Sequence, residues 1–139
     1  MVSGAVVLAS GLLMSCGVPD SASEARRLVF SEQEFKIGVN NKSVAAGHIP
    51  VRSENHGAIA HELVAFRTDL SEADLPLVDD GTKVDEEGAG ITHLDPEAEN
   101  ILPDTAKDIT IVLRPGRYVF LCNLPTHYKS GMHAVVDVH

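Results

Sequence analysis

Residues 118–138 constrain this chain more than any other stretch. Two apolar runs, Tyr118-Val-Phe-Leu-Cys122 and Met132-His-Ala-Val-Val-Asp-Val138, are joined by a short loop. Along a strand, side chains alternate between faces, so Tyr118, Phe120 and Cys122 point the same way and the strand aims the Cys122 thiol into the protein. Four residues separate Cys122 from His127, and four more separate His127 from Met132. A loop of that length can turn back and bring thiol, imidazole and thioether to one point. A soft thiolate, a neutral imidazole nitrogen and a weak thioether suit copper better than other common metals.

Taken singly, a cysteine near a histidine is an ordinary packed thiol beside a surface imidazole, and a methionine is core filler. The combination is more specific. A His₂Cys site with a long methionine contact needs a second imidazole. His61 is the preferred donor because the apolar run from Ile59 to Phe66 would hold it rigidly at a strand start. His56, next to Gly57, is the rival and reads as solvent-exposed.

These residues carry a resemblance. Asn55-x-Gly57-x-x-x-His61-Glu62, the strand Tyr118–Cys122, His127-Tyr128 and Gly131-Met132 together resemble the cupredoxins, single-domain blue-copper proteins. The Cys-x4-His-x4-Met spacing is most similar to the rusticyanin and auracyanin branch and covers about residues 34–139. One departure is Thr126, where such relatives often have glycine. The resemblance implies an all-β, Greek-key β-sandwich binding one copper ion, Cu(I)/Cu(II), through His61, Cys122, His127 and Met132. It also implies backbone N–H donors to the Cys122 sulfur near Asn123, and His127 as the ligand nearest the surface, rimmed by Leu124, Pro125 and Gly131.

The rest of the chain fits a sandwich of seven to eight strands. Glu34–Val39 alternates with period 2, and Asn40-Asn41-Lys42 has turn chemistry. Ile49, Val51 and Ser53 share a face of a strand that Pro50 confines to an edge or to its beginning. The near-continuous apolar run Ile59–Phe66 suits a strand buried on both faces. Ile109, Ile111 and Leu113 alternate into Arg114-Pro-Gly-Arg117, a tight turn that makes Tyr118–Cys122 the second arm of a hairpin.

Charge is unevenly spread. Residues 69–104 hold twelve acidic side chains and one lysine, a net of −11, against −9 for the whole chain. Ser71-Glu-Ala-Asp74 has the form of a helix start, so this acidic insertion is expected to be a long excursion with one or two short helices. It reads either as a solvated loop or as a docking surface for a cationic partner, since charge steers encounter. His93 is taken as an isolated surface residue.

Residues 1–16 read as a signal peptide. The first fifteen carry no charged side chain, and Leu13-Met-Ser-Cys16 resembles a bacterial lipobox, which makes Cys16 the expected lipidation site. An uncleaved hydrophobic anchor is the other reading. Residues 17–33 are expected to be a tether and 34–139 the folded domain.

The resulting expectation is a one-electron carrier, not an enzyme. It would be a monomer, anchored by lipid to the outer face of a bacterial membrane or periplasmic, exchanging electrons with redox proteins and binding no nucleic acid. Four side chains already claim the ion, and the His-x-His pairs of multicopper oxidases are absent from the sequence. The alternatives are copper delivery or storage for oxidase assembly, and a metal-free interaction module of the same fold.

Overall fold

The computed structural model describes residues 21–139. The signal peptide and the Cys16 lipidation site expected from the sequence lie outside the described residues. No helix among the described residues is long and apolar enough to cross a membrane.

Among the described residues, nine strands form two sheets. They are β1 (Leu28–Gln33), β2 (Lys36–Val39), β3 (Ser43–Val44), β4 (Gly47–Asn55), β5 (His61–Thr68), β6 (Ile91–Ile101), β7 (Ala106–Leu113), β8 (Gly116–Leu121) and β9 (His133–Val138). One sheet runs β2-β1-β4-β7, the other β3-β9-β8-β5-β6. A five-residue helix, α1 (Ser21–Ala25), precedes them. This is the expected β-sandwich, with one strand more than the seven to eight read from the sequence; the extra count includes the two-residue β3.

The core between the sheets follows from period 2. Leu28 and Phe30 of β1, Ile49 and Val51 of β4, and Ile111 and Leu113 of β7 face Leu63, Ala65, Tyr118, Phe120 and Val136 of the other sheet. With little aromatic content (4%), aliphatic packing does most of this work. Phe30 and Phe120 meet across the layers with ring centroids 4.6 Å apart. Fully burying one such side chain is worth about 1.5–3 kcal/mol.

Three expectations need correction. Residues 28–33, read as the end of a tether, form β1, and Leu28 and Phe30 are fully buried. Burial, not residue type, alternates along this strand, with Leu28, Phe30 and Glu32 turned inward, so the folded unit begins before residue 34. The acidic segment has no helix. Ser71–Asp74 is a turn closed by Asp74 N–H donating to Ser71 O, and Ile91–Ile101 is an eleven-residue edge strand, β6. Its carboxylates and Pro96 are compatible with an edge, where outward charge blocks further pairing. Register shifts opposite His61–Ala65 break the alternation that would have betrayed a strand. Third, β7 and β8 belong to different sheets, so Arg114–Arg117 turns the chain between layers and is not a hairpin. Tyr118 anchors this corner: its hydroxyl accepts from Arg114 N–H at 3.1 Å and donates to Arg114 O at 2.8 Å.

β5 is covered on both faces, as its composition suggests, but only one cover is a sheet. Leu63 and Ala65 face the main core. Val64 and Phe66, with Val119 and Leu121 of β8, pack under Leu75 and Val84 of the 69–90 segment and under Tyr128. Tyr128 Oη pins that cover, accepting from Leu75 N–H at 3.0 Å and donating to Glu72 O at 2.9 Å. This connection is therefore a lid on the β5–β8 face, joined to the loop that follows β8.

Candidate metal centre

Cys122 follows the last residue of β8, and β9 begins at His133, so the loop between them is held by two adjacent antiparallel strands. Its base is closed by Cys122 N–H donating to Met132 O at 3.1 Å, and Met132 N–H donating to His127 O at 3.2 Å. Between these, Tyr128–Ser130 forms a single 3-10 turn that ends on Gly131 at φ 106°. Glycine takes that conformation without steric cost. Thr126 adopts φ 72°, a left-handed conformation that a β-branched residue rarely takes. Thr126 N–H donates to Thr82 O at 2.8 Å, which ties the loop to the 69–90 segment.

The structure brings three of the four expected ligand side chains to one point. Nitrogen atoms of His61 and His127 and the Cys122 sulfur all lie within 4.8 Å of one another. Cys122 Sγ is 3.3 Å from His127 Nδ1 and 3.9 Å from His61 Nδ1. His61 and Cys122 are fully buried, and His127 retains 8% exposure, so it is the member nearest solvent. Met132 is fully buried at the base of the same loop. His56 is exposed and sits 3.3 Å from Glu54, on the surface.

Burial pushes the Cys122 thiol up to about 12, although backbone N–H groups of Glu62 and Leu124 favour its anion. A thiol so placed is neutral at pH 7 unless a cation joins it, since a coordinating thiol is deprotonated by its metal. Burial, then proximity to His61, holds His127 below the usual imidazole range, which keeps its ring neutral. One soft sulfur and two imidazoles in a closed pocket form a donor set that fits copper.

Two supports were not read from the sequence. Glu34, in the turn between β1 and β2, lies 3.1 Å from His61 Nε2. Its only sequence signal was its place at the head of an alternating strand. The side chain of Asn123, next to Cys122, clamps the lid: it accepts from Val84 N–H at 2.7 Å and donates to Val84 O at 3.1 Å and Glu86 Oε1 at 2.9 Å. The rim around His127 is built from Pro125, Thr126 and Gly131, all exposed, and half-buried Leu124. It also includes Phe35, which is 42% exposed and meets the His127 ring edge-on at 5.1 Å. His93 is not isolated: it lies on β6, 2.6 Å from Glu97, with Glu86 close by.

No protein-family model matches the chain, and no curated protein matches it by sequence. Solved structures do match. Dithionite-reduced auracyanin from Roseiflexus castenholzii is 22% identical, with a TM-score of 0.53 over 81% of this chain and 94% of that one. Auracyanin A, a "blue" copper protein from Chloroflexus aurantiacus, is 16% identical with a TM-score of 0.52, over 81% and 98%. Reduced rusticyanin is 18% identical with a TM-score of 0.54, over 81% and 78%. The fold is thus the cupredoxin β-sandwich.

Proposed function

We propose that this chain is a type 1 copper protein, a one-electron carrier and not an enzyme. The observation that carries the reading is the convergence of His61, Cys122 and His127 within 4.8 Å in a buried pocket. His61 Nδ1, Cys122 Sγ and His127 Nδ1 would hold one copper ion, with the Met132 thioether as the weak fourth donor. Copper, when bound, supplies a Cu(I)/Cu(II) couple.

The protein's own contribution is restraint. His61 starts β5, Cys122 directly follows β8, and Met132 directly precedes β9, three neighbouring strands of one sheet. Ligands fixed in this way move little between oxidation states, which keeps reorganisation small. The buried pocket excludes water, and the N–H groups of Glu62 and Leu124 favour the thiolate. The partly exposed edge of His127 is the proposed electron port, and Phe35, Leu124 and Pro125 give it an apolar rim suited to brief contact.

The setting is part of the proposal. The chain is read as exported, lipidated at Cys16 and monomeric, exchanging electrons with extracytoplasmic redox proteins, cationic ones among them. Support for cationic partners comes from the acidic character of residues 69–104.

The test is a Cu(II) titration of the purified domain, with Cys122→Ser as control. An intense visible thiolate-to-copper band at one equivalent, absent in the serine variant, is the expected result. A colourless protein that binds only Cu(I) would favour copper delivery or storage. No binding at all would favour an interaction module.

A further inference from the structure

Glu34 lies in the turn between β1 and β2, and its carboxylate reaches the loop before β5. One oxygen, Oε1, accepts from Ala58 N–H at 2.9 Å and Ile59 N–H at 3.0 Å, and lies 3.1 Å from His61 Nε2. The loop before β5 is shaped to admit it. A Cβ on Gly57 would fall 2.2 Å from Oε1, so only glycine lets the backbone close around the carboxylate. Asn55 completes the cradle, accepting from Gly57 N–H at 2.8 Å and donating to Ile59 O at 2.7 Å and Ile101 O at 2.8 Å.

The consequence lies at the other ring nitrogen. A carboxylate is acceptor-only, so the His61 nitrogen facing it must carry the proton. In a neutral imidazole that leaves Nδ1 bare, with its lone pair on the side of Cys122. We infer that Glu34 is a positioning residue: it fixes the tautomer and ring angle of His61 and raises the basicity of Nδ1 toward a metal ion. The inference rests on the copper reading above. A carboxylate, unlike a backbone carbonyl, adds negative charge beside a ligand of a site that changes charge by one. It therefore favours Cu(II) over Cu(I) and sets the reduction potential below that of an otherwise identical site with a neutral acceptor. Partners of this kind commonly govern metal affinity by 10–100-fold.

The experiment compares wild type with Glu34→Gln and Glu34→Leu. Gln keeps an oxygen that accepts the same three N–H groups and removes only the charge; Leu removes both. In wild type, Cu(II) affinity should exceed that of Glu34→Gln by about tenfold with Cu(I) affinity nearly equal, so the Gln variant's potential should rise by about 59 mV, the one-electron equivalent of tenfold. In the metal-free protein, ¹⁵N–¹H NMR should find the His61 proton on Nε2 in wild type and a mixture of tautomers in Glu34→Leu. A folded Glu34→Gln protein with wild-type potential would overturn the charge role. A metal-free wild type protonated at Nδ1 would overturn the positioning role. If wild type binds no copper, the proposed function fails instead, and the NMR result still decides what Glu34 does to His61.

Discussion

Glu32 is a carboxyl in the wrong place for a small core, and its cost can be measured. It sits on β1 two residues after Phe30, fully buried. Among the described residues its one hydrogen-bond donor is Ser53 Oγ, and its second oxygen has no partner. Desolvation dominates and lifts its pKa from 4.5 to about 7, while the Ser53 bond opposes the shift and Glu62 adds to it. For an acid whose pKa is raised on folding, the folded state holds more protons between the two values, so stability falls as pH rises through that window. At 1.36 kcal/mol per unit, the full penalty is about 3 kcal/mol, of which about 2.5 kcal/mol accrues between pH 5 and pH 8. Buried His127 and half-buried His133, with pKa values lowered by desolvation, contribute with the opposite sign, so the wild-type profile alone is not diagnostic. The useful quantity is the difference between wild type and Glu32→Gln, measured by urea unfolding of the metal-free protein at both pH values. Gln does not titrate, and any constant offset from the amide cancels. The variant should gain about 2.5 kcal/mol on wild type in going from pH 5 to pH 8. Parallel profiles, agreeing to about 0.5 kcal/mol, would refute the assignment of a buried carboxyl titrating near neutrality.

Two further substitutions probe local geometry. Thr126→Gly should relieve the left-handed strain at φ 72° and stabilise the protein by about 1 kcal/mol, the strain of about 1–2 kcal/mol less the entropy cost of glycine; a loss of stability in urea unfolding would argue that the threonine side chain makes a compensating contact. Tyr118→Phe should cost about 1–3 kcal/mol, because Arg114 N–H and C=O both lose their partner at the turn between the sheets; a change under about 0.5 kcal/mol in thermal or urea unfolding would mean that water replaces the hydroxyl freely.

The two-sheet architecture was legible because most core strands alternate cleanly. Ile49-Pro-Val51 is legible without a fold in hand, whereas Leu28-Val-Phe30 has no polar residue between its apolar ones and adjoins the mixed stretch 17–27, so it reads as the end of a tether. β6 was not legible. Its residues are chosen for an edge, its register slips twice against β5, and acidic composition outweighed Leu94, Ala98 and Ile101. The helix signature at Ser71–Asp74 failed for a related reason: Leu75 is drawn under Tyr128 to cover β5, and a helix there would surrender that packing.

The candidate site divides in the same way. Residue type and spacing alone determined the chemistry on offer: a thiol at the end of a strand, an imidazole and a thioether on one loop, and a second imidazole heading a buried run. Those are properties of short segments, and short segments keep their pattern in any fold. Which groups stand around that chemistry was decided only when distant segments met. Glu34 reaches His61 across 27 residues of chain, and Asn123 reaches Val84 across 39. Neither partner has a periodicity or motif, because a hydrogen bond between remote segments depends on where the sheets carry them and leaves no local trace in the order of the residues.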